Sequence, residues 1–447
     1  MAHEDRARIR PIKRRVEDEL IARPGVVAVD IGEKVSLGAG TGVESIVVYV
    51  ASKRPADEIP DHELVPPDID GIPTDVVEKR IRLLSAASRR LTPEELVDTR
   101  PYRPVVGGVS LGPERPVHRV TPEATTTGYY TYAGTIGAIV VDRLSGLALA
   151  LTNFHVAAAS PAWKRGDVQL QPSRGDDGDP AANRIGTLAR AKLTDEVDGA
   201  VVLLDPGTRY YPAIQDIGEV AGAGLAVIGQ SVRKRGRTTG LRHGRVRSVD
   251  LAVELDFGGE VGKRTLRNQI TIDSTPGEGW FSDGGDSGSV VVDDERRIVG
   301  LLCAGDEDGE FSIANPIQAV LDALDVDVLV GAPGGATRPG SPGGQGPAPA
   351  PTTTWPTTWP TTPAGAGGAN SAGGADGGVS AQPFTQPFTQ PFTQPFTQPF
   401  TQPFTQPFTQ PFTQPLTRAA SGGAAPDLRS VFWAGYLFAL EQLSGGA

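Results

Sequence analysis

The hydrophobic pattern divides the chain into an early helix, a long β-rich region and a tail without periodic structure. Between Ile9 and Leu20, apolar residues recur at helical spacing among charged ones, which predicts an amphipathic helix. Pro24 and Gly25 end this pattern, and two β-rich runs follow around a Gly-rich connection, "VVAVDIG" and "SIVVYVA". We expect residues 1–104 to form a small α+β domain.

Short apolar runs separated by Gly, Asp and Arg turns fill residues 105–330. Eight or more such runs favour an antiparallel barrel or sandwich over alternating strands and helices. Asn315 and Pro316 precede "IQAVLDAL" and predict a closing helix, because Asn suits an N-cap and Pro suits the first helical turn. The predicted fold class of this region is therefore mainly β.

Residues 331–425 are low in complexity and include eight consecutive Gln-Pro-Phe-Thr units, from Gln382 to Thr413. A proline at every fourth position removes a backbone donor each time, so the tract favours an extended, polyproline-like chain. It is interpreted either as a passive linker or as a multivalent docking tract for a protein partner. Residues 426–447 carry an apolar face at helical spacing and predict an amphipathic helix that docks on protein rather than on lipid.

The net charge of −11 argues against nucleic acid as a partner, since neutralising phosphates needs a basic surface. The basic stretch Arg6–Arg15 is interpreted as a solvated helix face. The single cysteine, Cys303, cannot form an internal disulfide, and no Cys/His cluster has metal-site spacing, so we expect no metal and no cofactor. Without a signal-peptide core or an apolar stretch long enough to span a membrane, the expected compartment is the cytoplasm.

The string "SDGGDSGSVVV" poses the question whether Ser287 is a nucleophile or a small residue in a Gly-rich turn. A serine hydroxyl becomes a good nucleophile only when a base removes its proton. Of the five histidines, His155 in "LTNFHVA" directly follows an apolar strand, so its imidazole projects from a strand end. Taken alone, His155 fits a hydrogen-bonded structural histidine equally well.

The base in turn needs a carboxylate that enters a strand and is buried against the imidazole. Asp198 in "DEVDGAVVLL" meets this requirement, because it is the last acidic residue before an uninterrupted apolar run. Asp195 and Glu196 are interpreted as solvated turn residues, and either of them stays open as an alternative to Asp198.

The strings "LTNFHVA", "VDGAVVLL" and "GGDSGSVVV" occur in the chain order His, Asp, Ser, and with them residues 105–330 resemble the chymotrypsin-like serine peptidases. Together with "RGRTTGL" and "SIANPIQAVL", the chain is similar to a bacterial branch of trypsin-like proteins that resembles the plant narrow-leaf protein. The resemblance implies a chymotrypsin-like double β-barrel with a small N-terminal α+β domain and a disordered Pro/Gly-rich tail.

Position by position, the resemblance makes Ser287 the nucleophile, His155 the general base and then acid, and Asp198 its orienting partner. The backbone amides of Gly285 and Ser287 become the oxyanion hole. The implied function is a serine endopeptidase that hydrolyses protein or peptide substrates through an acyl-enzyme. The alternatives are an inactive peptidase-fold scaffold that recruits partners through its tail, and an esterase or autoprocessing protein with the tail as its own substrate.

Phe281 stands six residues before Ser287, where the resemblance puts the base of the specificity pocket. An aromatic residue there favours a shallow or apolar pocket and gives no support to cleavage after Lys or Arg. The nearby Asp283 keeps that alternative open.

Activation by cleavage is a further question that the resemblance raises. In the digestive branch of the family, a freed amino terminus pairs with the aspartate before the serine, here Asp286. Because Pro104 precedes the corresponding start at Val105, a trypsin-like cut there is blocked. We therefore expect the uncleaved chain to be active and Asp286 to be held by an internal donor.

Overall fold

A computed structural model of the protein describes residues 2–36, 38–84, 97–119 and 128–331. The N-terminal part of these residues combines one long helix with short and long strands. Its elements are α1 (Ala2–Ile21), β1 (Val26–Ser36), β2 (Ala39–Val50), a 3₁₀ turn (Ala56–Glu58), β3 (Asp68–Ile69), β4 (Ile72–Glu78) and β5 (Ile81–Leu83).

The next part of the chain consists of short strands with three brief helical turns. Its elements are β6 (Val105–Gly107), β7 (Ser110–Pro113), β8 (Val117–Arg119), β9 (Gly128–Tyr130), β10 (Gly134–Thr135), β11 (Ile139–Asp142), β12 (Ala148–Thr152), α2 (Phe154–Ala157), β13 (Val168–Leu170), a 3₁₀ turn (Arg174–Asp176), α3 (Pro180–Asn183), β14 (Arg184–Leu193), β15 (Asp198–Leu204), β16 (Tyr210–Ile214) and β17 (Gly218–Glu219).

The last described part has longer strands and ends on a helix and a final short strand. Its elements are β18 (Gly222–Ala223), β19 (Ser231–Gly236), β20 (Gly240–Asp256), β21 (Lys263–Ser274), β22 (Val290–Asp293), β23 (Arg297–Asp306), β24 (Phe311–Pro316), α4 (Ile317–Ala323) and β25 (Val326–Val328).

Two small sheets hold β6, β16 and β17 and the pair β8 and β9, and most of the described strands pair into two barrel-like sheets. In the second, the order β19-β22-β23-β24-β21-β20 closes on itself because β19 also pairs with β20. In the first, the order is β10-β7-β13-β14-β15-β12-β11-β25, and β25 returns from the chain end to pair with β11. This mainly β architecture of two barrels confirms the predicted fold class.

The apolar run of β22 shows why these segments are strands with both faces buried. Val290 and Val292 pack in one apolar cluster with Ile317 of α4, while Val291 packs in another with Phe281. Because side chains alternate across a strand, a continuous run of β-branched residues suits a strand covered on both sides.

The N-terminal segment joins the sheet of the second barrel at two places. Strand β20 is long enough to extend beyond its barrel partners, and Ala28 and Val29 of β1 pair with Val253 and Ala252 of β20. Strand β5 pairs antiparallel with β23. The segment is therefore hydrogen-bonded to the second barrel along two separate strands.

The basic stretch on α1 is a solvated face only in part, because Arg8, Arg14 and Arg15 are exposed whereas Arg6 and Lys13 are buried. Lys13 is only 2% exposed, its Nζ donates to the carbonyl of Asp250 at 2.5 Å, and it also pairs with Glu17 at 2.5 Å. Arg10 forms an ion pair with Asp250, and Arg6 pairs with Glu44 at 3.0 Å. These basic side chains bind the sheet beneath the helix, because their long apolar stems pack while their charges find acidic partners.

The predicted spacer of residues 331–425, apart from residue 331, and the predicted helix of residues 426–447 lie outside the described residues. Among the helices that the structure describes, none is long and apolar enough to cross a membrane.

Candidate active site

His155 lies on α2, a single helical turn that begins just after β12 ends. His155 is buried, with an exposed fraction of 4%. The backbone N–H of His155 donates to Asp198 Oδ1 at 3.1 Å, and the ring Nδ1 contacts Asp198 Oδ2. One carboxylate thus holds both the backbone and the ring of the histidine, which fixes the orientation of the imidazole.

Asp198 is the first residue of β15 and is fully buried. Its own backbone is held from two sides: its N–H donates to Asn315 Oδ1 at 3.0 Å, and its carbonyl accepts from Asn153 Nδ2 at 2.7 Å. These two hydrogen bonds fix the backbone of Asp198, while the buried carboxylate itself is hydrogen-bonded by the backbone N–H and the ring of His155.

The two alternative carboxylates lie in the turn before β15 and contact β21 instead. The carbonyl of exposed Asp195 accepts from the backbone N–H of Arg267 at 2.6 Å, and Glu196 accepts from the side chain of Asn268. The structure therefore brings Asp198, and neither of these residues, to the histidine.

Asn315 does not cap the closing helix, which corrects the sequence-based expectation. It lies in β24 with its side chain fully buried, and α4 begins at Ile317. Its Nδ2 donates to Gln269 Oε1 at 2.6 Å while its Oδ1 accepts from Asp198. The predicted cap is wrong because the Asn315 side chain forms hydrogen bonds with residues of β15 and β21, which are distant in sequence.

Ser287 lies in the turn that leads into β22 and is fully buried. Its Oγ donates to the backbone carbonyl of Cys303 at 3.1 Å. His155 Nε2 is buried and has no hydrogen-bond partner in the described part of the chain. The structure thus shows the serine hydroxyl hydrogen-bonded to the Cys303 carbonyl. The ring nitrogen that a base would use, His155 Nε2, makes no hydrogen bond among the described residues.

The glycines around Ser287 shape its turn. Gly285 and Gly288 adopt φ values of +101° and +94°, which side chains with a Cβ rarely adopt. A Cβ on Gly288 would stand 2.1 Å from the carbonyl oxygen of Thr135. The backbone N–H of Gly285 points out of the turn and donates to the carbonyl of Leu84 at 2.6 Å.

Asp286 is held from inside the barrel, which confirms the expectation of an internal donor. Lys234 Nζ donates to Asp286 Oδ2 at 3.0 Å, and both side chains are fully buried. Thr238 and Thr239 add backbone N–H donors at 2.8 and 3.1 Å. Burial opposes the charge of Asp286, but Lys234, the Thr239 hydroxyl and the backbone N–H of Asp283 outweigh it and hold the pKa of the carboxyl below its usual range.

Val105, the position where a cleaved chain of the digestive type would begin, is an internal strand residue here. It is fully buried, and its backbone N–H donates to the carbonyl of Arg209 at 2.8 Å. This amide is therefore occupied within the sheet, while Lys234 supplies the positive charge to Asp286.

Phe281 and Asp283 meet residues of the N-terminal segment. Phe281 is fully buried in an apolar cluster that also contains Leu84, whose exposed fraction is 2%. Asp283 Oδ1 accepts from Arg82 at 3.0 Å. Phe281 thus has apolar surroundings, whereas the side chain of Asp283 makes an ion pair.

Cys303 is buried and is not poised as a second nucleophile at this site. Burial and the nearby charge of Asp198 raise the pKa of the Cys303 thiol well above its usual value, which keeps it protonated and a poor nucleophile. Within the described residues, no group of three His, Cys, Asp or Glu side chains could hold a metal ion.

Comparison with known proteins adds one relative in sequence. No family model matches the chain. Serine protease 2 of Streptomyces fradiae is 29% identical over 140 residues, which cover 31% of this chain and 72% of that protein. Over these residues the chain is a homologue of a bacterial serine protease.

Solved structures of bacterial serine proteases are also similar to this homologue. Thermobifida fusca protease A has 18% identity and a TM-score of 0.36, and the match covers 51% of this chain and 99% of that one. The chymotrypsin of Cellulomonas bogoriensis has 18% identity and a TM-score of 0.34, with coverage of 51% and 99%.

Sequence reasoning missed three residues of this serine protease homologue that contact the site. Lys234 is flanked by basic residues in "VRKRGR", so nothing local marks it as buried. Asn315 carried a misleading capping signal. Leu84 reaches the site through the pairing of β5 with β23, which no local pattern encodes.

Proposed function

We propose that the chain is a serine endopeptidase in which Ser287 is the nucleophile, His155 the general base and acid, and Asp198 the residue that orients the imidazole. The observation that carries the proposal is the buried contact of His155 Nδ1 with Asp198 Oδ2, together with the open Nε2. An Nδ1–H that donates to the carboxylate leaves Nε2 with the lone pair that a base requires.

The serine reaches this base by a change of hydroxyl partner. In the described state Ser287 Oγ donates to Cys303, and rotation about its Cα–Cβ bond breaks that hydrogen bond. The proposed reaction starts when Oγ instead donates to His155 Nε2 and attacks a peptide carbonyl. An ester on Ser287 forms, and His155 passes the proton to the leaving nitrogen.

The backbone amide of Gly285 supports the role of an oxyanion donor. It already donates to a carbonyl oxygen, that of Leu84, at 2.6 Å. In transition-state stabilisation such a donor is worth about 3–4 kcal/mol. The amide of Ser287 completes the oxyanion hole in this proposal.

A fluorophosphonate probe tests the nucleophile, because it forms a stable bond only with an activated serine. Since Leu84 occupies the Gly285 amide and shares the Cys303 carbonyl with Ser287, labelling is measured in the Leu84→Asp chain as well as in the unsubstituted one. We expect an adduct that Ser287→Ala abolishes and that Ser231→Ala, an exposed serine on β19, leaves intact. Absence of the adduct from folded Leu84→Asp protein contradicts the proposal.

One observation favours a second candidate, a catalytically inactive scaffold protein with a peptidase fold. The Ser287 hydroxyl donates a hydrogen bond to the Cys303 carbonyl, and the Gly285 N–H donates one to the Leu84 carbonyl. The described state is therefore not ready to react with another protein. The same labelling experiment separates the two candidates, because a scaffold stays unlabelled after Leu84→Asp opens the cleft.

A further inference from the structure

Thr135, the last residue of β10, lies against the turn that carries Ser287 and is fully buried. Its backbone N–H donates to the carbonyl of Ser287 at 2.8 Å, and its Oγ1 donates to the carbonyl of Gly285 at 2.8 Å. Gly285 and Ser287 are the two residues whose N–H groups form the proposed oxyanion hole. One threonine of the first barrel therefore binds the backbone of both proposed oxyanion donors.

The hydroxyl of Thr135 is held in one orientation. It accepts a hydrogen bond from the backbone N–H of Arg237 at 3.1 Å while it donates to Gly285. A hydroxyl has a single proton, so the Arg237 N–H occupies a lone pair and the proton points to the Gly285 carbonyl. The carbonyl of Thr135 accepts from Thr152 Oγ1 at 2.8 Å. Both backbone groups and the hydroxyl of Thr135 are thus engaged in hydrogen bonds.

The hydrogen bond from Arg237 connects Thr135 to the residues that hold Asp286. Arg237 lies between β19 and β20 and directly precedes Thr238, whose backbone N–H donates to Asp286 Oδ1 at 2.8 Å. Because Asp286 stands between Gly285 and Ser287, its side chain and the carbonyls on either side of it are all fixed by hydrogen bonds from residues close to Thr135.

The strand segment around Thr135 touches the serine turn through backbone atoms. A Cβ on Gly134 would stand 3.0 Å from the Ser287 carbonyl oxygen, and one on Gly137 would overlap the Gly288 carbonyl oxygen. These glycines permit the close approach that the two hydrogen bonds of Thr135 require. At such close packing, a shift of Thr135 is transmitted to the turn.

Gly285 depends on an outside contact for its orientation. It has no Cβ and adopts a φ of +101°, so its own conformational preference is weak. An oxyanion donor is effective only when its N–H already points to the place where the negative charge develops. The Thr135 hydroxyl fixes the peptide group that follows Gly285 and so restricts the rotation of its N–H.

We infer that Thr135 is a positioning residue for the reaction: its hydroxyl and backbone N–H hold Gly285 and Ser287 so that their amides point together at the oxyanion of the transition state. The inference rests on the proposed function and adds a residue that acts through the backbone of the turn and not on the substrate. Its loss should therefore weaken stabilisation of the transition state and leave substrate binding nearly unchanged.

Substitutions at Thr135 separate its hydroxyl from its shape. Thr135→Val removes the hydroxyl and keeps a branched side chain, whereas Thr135→Ser keeps the hydroxyl and removes a methyl group. Thr271→Val is the matched control, because Thr271 is also fully buried but its Oγ1 makes no hydrogen bond with the described residues. All three are made in Leu84→Asp protein, since the Leu84 carbonyl accepts from the Gly285 amide in the unsubstituted chain.

The experiment measures kcat and KM for a fluorogenic peptide with leucine before the cleaved bond, and the rate of fluorophosphonate labelling, which needs no peptide sequence. We expect Thr135→Val to lower kcat and the labelling rate about tenfold to a hundredfold, with KM changed less than about twofold. Thr135→Ser should stay within about threefold of the parent, and Thr271→Val should equal it. Thermal unfolding confirms that each protein is folded.

The outcomes distinguish failure of this inference from failure of the proposed function. If Ser287 is labelled at the same rate in the parent and in Thr135→Val, the role of Thr135 is wrong and the proposed function stands. A rise in KM at constant kcat, or an equal loss in Thr135→Ser and Thr135→Val, also contradicts the role. If the folded parent is not labelled at all, the proposed function fails and this inference with it.

Two substitutions replace those that do not fold. Should Thr135→Val fail to fold, Thr135→Ala is compared with Thr135→Ser, because this pair also differs by the hydroxyl, and equal labelling rates overturn the inference. Should Leu84→Asp fail to fold, the same series is made in Arg82→Glu protein, which loses the ion pair with Asp283.

Discussion

Lys234 Nζ and Asp286 Oδ2 lie 3.0 Å apart in a site where neither side chain reaches solvent. The aspartate directly precedes Ser287, so the pair fixes the turn from which the serine and the Gly285 amide project. An internal lysine here makes the charge at Asp286 independent of a freed amino terminus.

Removing the lysine should therefore strongly destabilise the folded protein. Lys234→Met leaves the Asp286 carboxylate buried without its counter-ion, at an expected cost of about 3–5 kcal/mol in the free energy of unfolding. The double substitution Lys234→Met with Asp286→Asn should recover much of that loss, because the unpaired charge is gone. Denaturant unfolding of the three proteins measures this, and equal stabilities for both variants would contradict the account.

The same pair predicts a pH dependence. Because the pKa of Asp286 is held below its usual value in the folded state, the stabilisation is present above the unfolded pKa of about 4 and is lost as pH falls through the folded value. The stability difference between the unsubstituted chain and Asp286→Asn should be constant from about pH 7 to pH 5 and shrink below about pH 4. A difference that instead grows on acidification would show the opposite shift.

Asp198 and Asp195 form a matched pair of substitutions for the proposed triad. Asp198→Asn should keep the fold and lower turnover by about 10⁴-fold, since the imidazole loses the carboxylate that fixes its tautomer. Asp195→Asn changes an exposed turn residue and should have little effect. Peptide hydrolysis rates measure both, and the reverse order of effects would reassign the acid.

The sequence predicted the three proposed triad residues because each has a local signature. His155 follows an apolar strand, Asp198 opens one, and Ser287 lies among glycines. The Leu84 contact could not be predicted in this way, because it depends on β5 meeting β23, a strand more than two hundred residues later. Burial of Lys13 was missed for the same reason: its acceptor, the carbonyl of Asp250, is set by the packing of α1 on the sheet.

Two glycines test whether the turn around Ser287 is as tight as the structure shows. Gly288→Ala places a Cβ 2.1 Å from the Thr135 carbonyl at a φ of +94°, so it should cost more than about 3 kcal/mol. Gly279→Ala also has a positive φ but has open space around its Cβ, and should cost only about 1–2 kcal/mol. Thermal unfolding compares the stabilities of the two variants. Similar losses of stability would mean that the turn around Ser287 can adjust to an added Cβ.

Release of the N-terminal segment should raise activity on external peptides. Arg82→Glu replaces the ion pair with Asp283 by a repulsion and should increase hydrolysis of an added peptide about threefold to tenfold. Arg80→Glu, an exposed position in the same segment, is the control. An unchanged rate in Arg82→Glu would show that the segment does not limit access to Ser287.

The central claim, that Ser287 hydrolyses peptide bonds, is tested most directly by cleavage of a proteome-derived peptide library. Leu84→Asp protein is compared with Leu84→Asp protein that also carries Ser287→Ala, and new peptide ends are identified by mass spectrometry. The account predicts ends that follow apolar residues, in keeping with the apolar surroundings of Phe281, in the first sample alone. The same set of ends in both samples, or no new ends with the folded first protein, would contradict it.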